Sequence, residues 1–149
     1  MLNYTEVVFG NGLLSDTELD LCFKNLPLRG TPPVSPESPC YIVGLVNTKG
    51  AEGIGAWVDG NTLYLDPVCL VYTLEKAAEI AQEHQQAAVF KMTGVWKEKE
   101  VVSDTIEPVL YYLRTFSDQY GGATAVFVGY TAGKPTYRVI AGEGEVIYL

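Results

Sequence analysis

Residues 55–92 read GAWVDGNTLYLDPVCLVYTLEKAAEIAQEHQQAAVFKM, and this stretch decides the fold. It begins with two predicted strands, residues 55–59 and 61–73, around an Asp-Gly pair that favours a tight hairpin turn. Residues 74–86 then repeat apolar side chains at helical spacing, and three of these are alanines that permit close packing on a sheet. Residues 87–92 follow as a short apolar strand. A hairpin, a helix and a strand in this order predict an α+β fold.

Outward from this stretch, the pattern of short strands and helices continues in both directions. Ser15 and Glu18 form a predicted capping box at the start of a helix. The further predicted strands cover residues 4–9, 41–46, 123–130, 136–141 and 145–149, and the further helices cover 16–25 and 104–120. The last three strands are expected to form two hairpins. The prediction is therefore a single α+β domain over residues 1–149, with a mostly antiparallel mixed sheet and two or three helices.

Two segments are predicted to be irregular. Residues 27–39 contain five of the eight prolines, so neither a helix nor a central strand fits them. We expect a surface loop there, or alternatively an arm that docks on a partner or another subunit. Residues 97–100 read KEKE and are expected to form an exposed turn or an edge strand.

Composition and charge exclude several classes of protein. The 149 residues are 48% hydrophobic, which excludes a disordered chain. The longest apolar runs are too short to span a bilayer, so no membrane is expected. A net charge of −8 argues against binding bulk nucleic acid through its phosphates. The first residues lack the basic and apolar regions of a signal peptide, which predicts a cytoplasmic location.

The residue types used in catalysis and metal binding are sparse. Three cysteines, Cys22, Cys40 and Cys69, have no zinc-binding spacing and are expected to be buried thiols, with Cys40 the best candidate for a reactive one. His84 is the single histidine, so a zinc site with two or three histidines from one chain is excluded. Asp66, between apolar neighbours, is the carboxylate with the least expected exposure to water. We assign no metal, no cofactor and no catalytic residue.

Arginine and tyrosine instead suggest a binding site. The chain has ten tyrosines and three arginines, and tyrosine is enriched at interfaces. Arg114 lies on the last predicted helix and Arg138 on a later strand, so the two could meet where the helix packs on the sheet. With Lys134, Tyr112 and Tyr137 they would bind a small anionic ligand such as a nucleotide. Alternatively, each arginine pairs with a local carboxylate.

The hairpin, alanine-rich helix and strand of residues 55–90 resemble small accessory proteins encoded by phages and prophages. Some proteins of this kind act against host defence, including sponges that sequester cyclic nucleotide signals. The resemblance covers about a quarter of the chain and transfers no functional residue. It implies an accessory protein of a mobile element.

These observations favour a non-catalytic binding protein that forms a homo-oligomer and recognises or sequesters a small anionic ligand. The C-terminal strand is expected to offer a free edge to another subunit. One alternative is an inhibitor or adaptor whose acidic surface binds a host protein. Another is a hydrolase or transferase that uses carboxylates with His84, and a third is a purely structural subunit.

Overall fold

The structure is a computed structural model that describes residues 6–9, for which only the backbone is considered, and 15–149. Positions 4 and 5 of the predicted first strand lie outside these residues. The described part of the chain contains these elements in order: β1 (Glu6–Phe9), α1 (Asp16–Lys24), β2 (Cys40–Gly44), β3 (Gly53–Asp59), β4 (Thr62–Val71), α2 (Leu74–Glu83), β5 (Ala88–Val102), α3 (Glu107–Tyr120), β6 (Gly122–Thr131) and β7 (Lys134–Tyr148).

Six of these strands form a sheet that closes on itself. The order β4-β2-β5-β7-β6-β3 is antiparallel throughout, and β3 pairs again with β4 to complete the ring. β1 adds to the first half of β4 in parallel orientation. The predicted α+β class with a mostly antiparallel mixed sheet is therefore confirmed.

The helices begin and end where local chemistry favours it. The Ser15 hydroxyl accepts from the Glu18 amide at 3.2 Å and the Glu18 carboxylate accepts from the Ser15 amide at 3.1 Å, which confirms the capping box. α3 starts three residues later than predicted, with Pro108 in its first turn, where a missing amide costs nothing. It ends at Gly121, whose φ of 92° suits glycine.

The two faces of the sheet carry different apolar clusters because side chains alternate along each strand. The larger cluster, here called the helix-side core, joins the sheet to all three helices and includes Phe23, Ala77, Leu113, Tyr137 and Val139. Among the described residues, no helix contributes to the second cluster, which contains these buried residues: Cys40, Val68, Leu70, Met92, Val126 and Ile140. The cluster to which a strand residue belongs therefore shows which face of the sheet its side chain occupies.

The C-terminal third differs from the sequence-based prediction. Residues 97–100 lie inside the long strand β5, which pairs there with β7 alone among the described strands, so the edge-strand alternative is confirmed and the turn is wrong. Residues 142–144 continue β7, so the second predicted C-terminal hairpin is wrong. The glycines of residues 142–144 permit close strand approach and do not form a turn. A Cβ on Gly142 would overlap the sulfur of Met92, and one on Gly144 would overlap the carbonyl oxygen of Lys91.

The start of the proline-rich segment is attached to the sheet. The amides of Arg29 and Gly30 both donate to the carbonyl of Phe127, at 2.9 and 3.2 Å. The Arg29 guanidinium donates to the Tyr72 hydroxyl at 2.9 Å and lies 3.5 Å from the Glu52 carboxylate. These contacts fix one end of the loop beside β4 and β6. Of the three described helices, none has the length and apolar character needed to cross a bilayer.

Candidate functional site

The structure separates the arginines that the sequence analysis placed together. Arg138 contacts Glu98 at 3.2 Å and Glu100 at 3.1 Å, as the alternative interpretation expected. Its strand neighbours Tyr137 and Val139 both belong to the helix-side core. By alternation, Arg138 points to the opposite face of the sheet, away from α3 and its Arg114.

The other predicted residues also lie in different environments. Tyr137 is buried and its ring stacks on Phe23 with centroids 4.4 Å apart, so it is a core residue. Lys134 is exposed at the turn between β6 and β7. Tyr112 and Arg114 lie on nearly opposite sides of α3 because two helical positions are separated by about 200°. The structure does not bring these five predicted residues into one site.

Arg114 borders a shallow depression on α3. This depression has a volume of about 300 Å³ and is lined by Arg114 with Glu107, Leu110 and Tyr111. A larger one of about 530 Å³ lies beneath the proline-rich segment and ends at Tyr72. Both are open to solvent and formed mainly by neighbouring residues of one segment. Neither encloses a small ligand as a deep cleft does.

β5 sorts its charges onto two faces. In its register with β7, Lys99 is opposite Val139 and Glu100 is opposite Arg138. Lys97 and Lys99 therefore share the face of the helix-side core, whereas Glu98 and Glu100 share the other face. Arg138 pairs with both carboxylates there and offsets one of their two negative charges. A segment that reads as alternating charge along the chain thus presents two ammonium groups on one side.

Aromatic rings of α3 lie beside these lysines. The Lys99 Nζ is 5.5 Å from the ring centroid of Tyr112, a distance at which a cation attracts an aromatic face. The ring of Trp96 lies 5.9 Å from that of Tyr120, which follows Tyr112 by eight residues, a little over two turns of α3. Trp96 is 54% exposed and falls at a register shift of β5, where an inserted residue re-aims the side chain.

These residues define the best candidate site, called here the aromatic–lysine strip: Trp96, Lys97, Lys99, Tyr112 and Tyr120. The strip combines ring faces, on which a planar ligand can stack, with ammonium groups that attract an anion. Of the predicted site residues it includes Tyr112 alone. The sequence signal for Lys97 and Lys99 is the alternation of lysine and glutamate directly after Trp96. Alternate residues of a strand share one face, so the two lysines form a cationic face.

The remaining reactive groups have structural partners or are buried. The amide of Val46 donates to His84 Nδ1 at 3.1 Å, so this histidine joins α2 to the end of β2. Asp66 is 2% exposed, in agreement with its predicted shielding from water. Within the described residues, no three histidine, cysteine or acidic side chains are grouped to hold a metal ion.

Burial also governs the cysteines. Cys40 is fully buried, and loss of hydration raises the pKa of its thiol to about 11, although nearby Arg29 acts in the opposite direction. Burial likewise raises the pKa of Cys22 and of Cys69 to about 11. A thiol that stays protonated is a poor nucleophile, so the structure does not support Cys40 as a reactive residue.

Comparison of the chain with protein-family models, with curated proteins and with solved structures gives no match. Function is therefore inferred from the side chains and their geometry.

Proposed function

We propose that this protein is a non-catalytic binding protein of the cytoplasm that holds a small anionic ligand with a planar ring, such as a nucleotide, on the aromatic–lysine strip. The observation that carries this proposal is the contact of Lys99 with the ring of Tyr112 at 5.5 Å. It places a cation and an aromatic face together at the surface, and a nucleotide offers matching groups, a phosphate and a base.

The proposed pose follows from the order of the strip. The base stacks on Trp96, whose ring is exposed and contacts that of Tyr120. The phosphates contact the ammonium groups of Lys97 and Lys99, whose backbone positions are about 7 Å apart along the strand. The carboxylates of Glu98 and Glu100 point to the other face, where both pair with Arg138, and its positive charge weakens their repulsion of the ligand.

A binding site of this type suits a protein that sequesters its ligand. Stacking and charge attraction hold a nucleotide without a nucleophile or a general base. An accessory protein of a mobile element that removes a cyclic nucleotide signal from a host would need these two properties. We include this role in the proposal as the biological setting of the strip.

The experiment is a melting-temperature screen with cyclic AMP, cyclic di-GMP and ATP as probes, followed by calorimetry of any that binds. A ligand at about 100 times its Kd stabilises by about 2.7 kcal/mol, a rise of several degrees. Lys99→Ala is expected to raise the Kd about tenfold, which corresponds to a loss of about 1.4 kcal/mol of binding free energy.

Lys134→Ala is the matched control, because it removes the same charge from an exposed turn outside the strip. It is expected to leave the Kd unchanged within about twofold. Equal weakening by both variants would mean that net charge alone attracts the probe. A failure of all three probes to bind would contradict the nucleotide class.

A further inference from the structure

β7 has an open edge over its second half. Residues 142–148 pair with β5 on one side, whereas β6 pairs with β7 only over residues 134–140. In the part of the chain that the structure describes, no strand lies along the other side of residues 142–148. The closed sheet therefore leaves a seven-residue gap in its hydrogen bonding here, close to the last residue of the sequence.

The backbone groups that face this gap can be assigned. The Leu149 amide donates to the Ala87 carbonyl at 2.9 Å, and the Glu143 carbonyl accepts from the Thr93 hydroxyl at 3.3 Å. Odd-numbered residues of this segment thus direct their amides and carbonyls toward β5. In an antiparallel strand the even-numbered ones then point away, and these are Gly142, Gly144, Val146 and Tyr148.

The side chains along the edge are sorted by face. Glu143 and Glu145 lie on one face of β7 and are exposed. Val146 and Tyr148 lie on the other face, 51% and 80% exposed. The segment contains no lysine or proline, the residues that most often protect an edge strand from pairing.

We propose that this edge binds an extended segment of another protein, in which basic residues alternate with apolar ones, as an added β-strand. The even-numbered backbone groups would supply the hydrogen bonds. Basic side chains of the partner would then face Glu143 and Glu145, and apolar ones would cover Val146 and Tyr148. A second copy of this chain, the occupant expected from the sequence, fits less well, since it would bring four carboxylates together and join two molecules of net charge −8.

The key variant is Val146→Pro. The Val146 amide points to the gap, so proline removes a donor from the edge and leaves the pairing with β5 intact. Val146→Thr is the matched control, because it keeps the amide and the branched shape of the side chain. Circular dichroism and the melting temperature establish that both variants fold.

The probes are fluorescent six-residue peptides that alternate lysine with valine or glutamate with valine, measured by anisotropy. The wild type and Val146→Thr are expected to bind the lysine peptide, and Val146→Pro at least tenfold more weakly. Glu143→Gln with Glu145→Gln is expected to weaken binding, and added salt to reduce the difference. Equal binding of both peptides, or unchanged binding by Val146→Pro, would overturn the proposal.

Sedimentation of the wild type and of Val146→Pro tests whether a second copy of this chain occupies the edge instead. We expect Val146→Pro to leave the oligomeric state of the wild type unchanged. A wild-type dimer that becomes a monomer in Val146→Pro would show that a second copy occupies the edge, which overturns the proposal of a basic partner. Lys99→Ala is expected to bind the peptide normally, so this inference and the proposed nucleotide site are tested separately.

Discussion

The ammonium group of Lys99 lies 5.5 Å from the ring centroid of Tyr112, and this contact joins the long strand β5 to the long helix α3. It is worth about 0.5–1 kcal/mol at an exposed site, which is a small contribution to folding. Its larger consequence is positional. The lysine is held beside a ring at the surface, so it offers an anionic ligand a local positive charge on a protein whose net charge of −8 otherwise repels anions.

Arg138 is expected to act on ligand binding only through its charge. Arg138 pairs with Glu98 and Glu100 on the face opposite the proposed site and offsets one of their two negative charges. Arg138→Ala should therefore weaken binding of a nucleotide probe by about two- to fivefold at low salt and hardly at all at high salt. Calorimetry at two salt concentrations measures this. A loss above tenfold that persists at high salt would instead indicate direct contact with the ligand.

Glu52 is expected to stabilise the attachment of the proline-rich segment. One of its oxygens accepts from the Leu70 amide at 2.9 Å and the other lies 3.5 Å from the Arg29 guanidinium. Glu52→Gln should lower the free energy of unfolding by about 1–2 kcal/mol, because a partly buried cation loses its partner. Urea unfolding measures the change.

The matched control is Asp20→Asn, which removes an exposed ion pair with Lys24 at 3.0 Å. Such pairs contribute little, so a change below about 0.5 kcal/mol is expected. Equal effects of the two substitutions would contradict a special role of Glu52.

The three cysteines are expected to resist thiol reagents in the folded protein. Their pKa values are raised from 9.0 to about 11 by burial. At pH 8, Ellman's reagent should react slowly with all of them and rapidly after unfolding in urea. One thiol that reacts at once in the folded protein would contradict this account.

The same pKa shifts set an alkaline limit on stability. The unfolded thiols ionise near pH 9, whereas the folded ones stay neutral until about pH 11. The stabilisation is complete below pH 9 and is lost as the pH rises to about 11. Cys40→Ser and Cys69→Ser together should reduce this loss, as measured by melting temperature across the range.

Gly144 is expected to be essential for the pairing of β7 with β5. A Cβ at this position would overlap the carbonyl oxygen of Lys91, and backbone cannot yield as a flexible side chain does. Gly144→Ala should destabilise the protein by more than about 2 kcal/mol. Gly44→Ala is the control, since its Cβ meets the end of the Gln86 side chain at 3.3 Å. Chemical denaturation should separate the two variants clearly.

The sequence predicted the local elements well because local chemistry determines them. The capping box at Ser15, the hairpin at Gly60 and the end of α3 at Gly121 are each set by a few neighbouring residues. Closure of the sheet, by contrast, requires β3 to pair with both β4 and β6. Pairings between distant strands leave no local pattern in a single sequence.

Two predictions are wrong for different physical reasons, the several structural uses of glycine and the dependence of a side chain's face on strand register. Gly142 and Gly144 were interpreted as a turn, but they allow close approach within a strand. Arg138 was assigned to a site with Arg114 because helix and strand were expected to meet there. Which face of β7 it occupies depends on the register with β5, and this register became visible only in the structure.

The most direct test of the proposed site is the fluorescence of Trp96 in a Trp57→Phe variant, in which it is the single tryptophan. The probe is the nucleotide that binds most tightly in the melting-temperature screen. We predict saturable quenching of Trp96 with the same Kd as calorimetry, weakened about tenfold by Lys99→Ala and unchanged by Lys134→Ala. Binding seen by calorimetry without any change in Trp96 emission would contradict the aromatic–lysine strip as the ligand site.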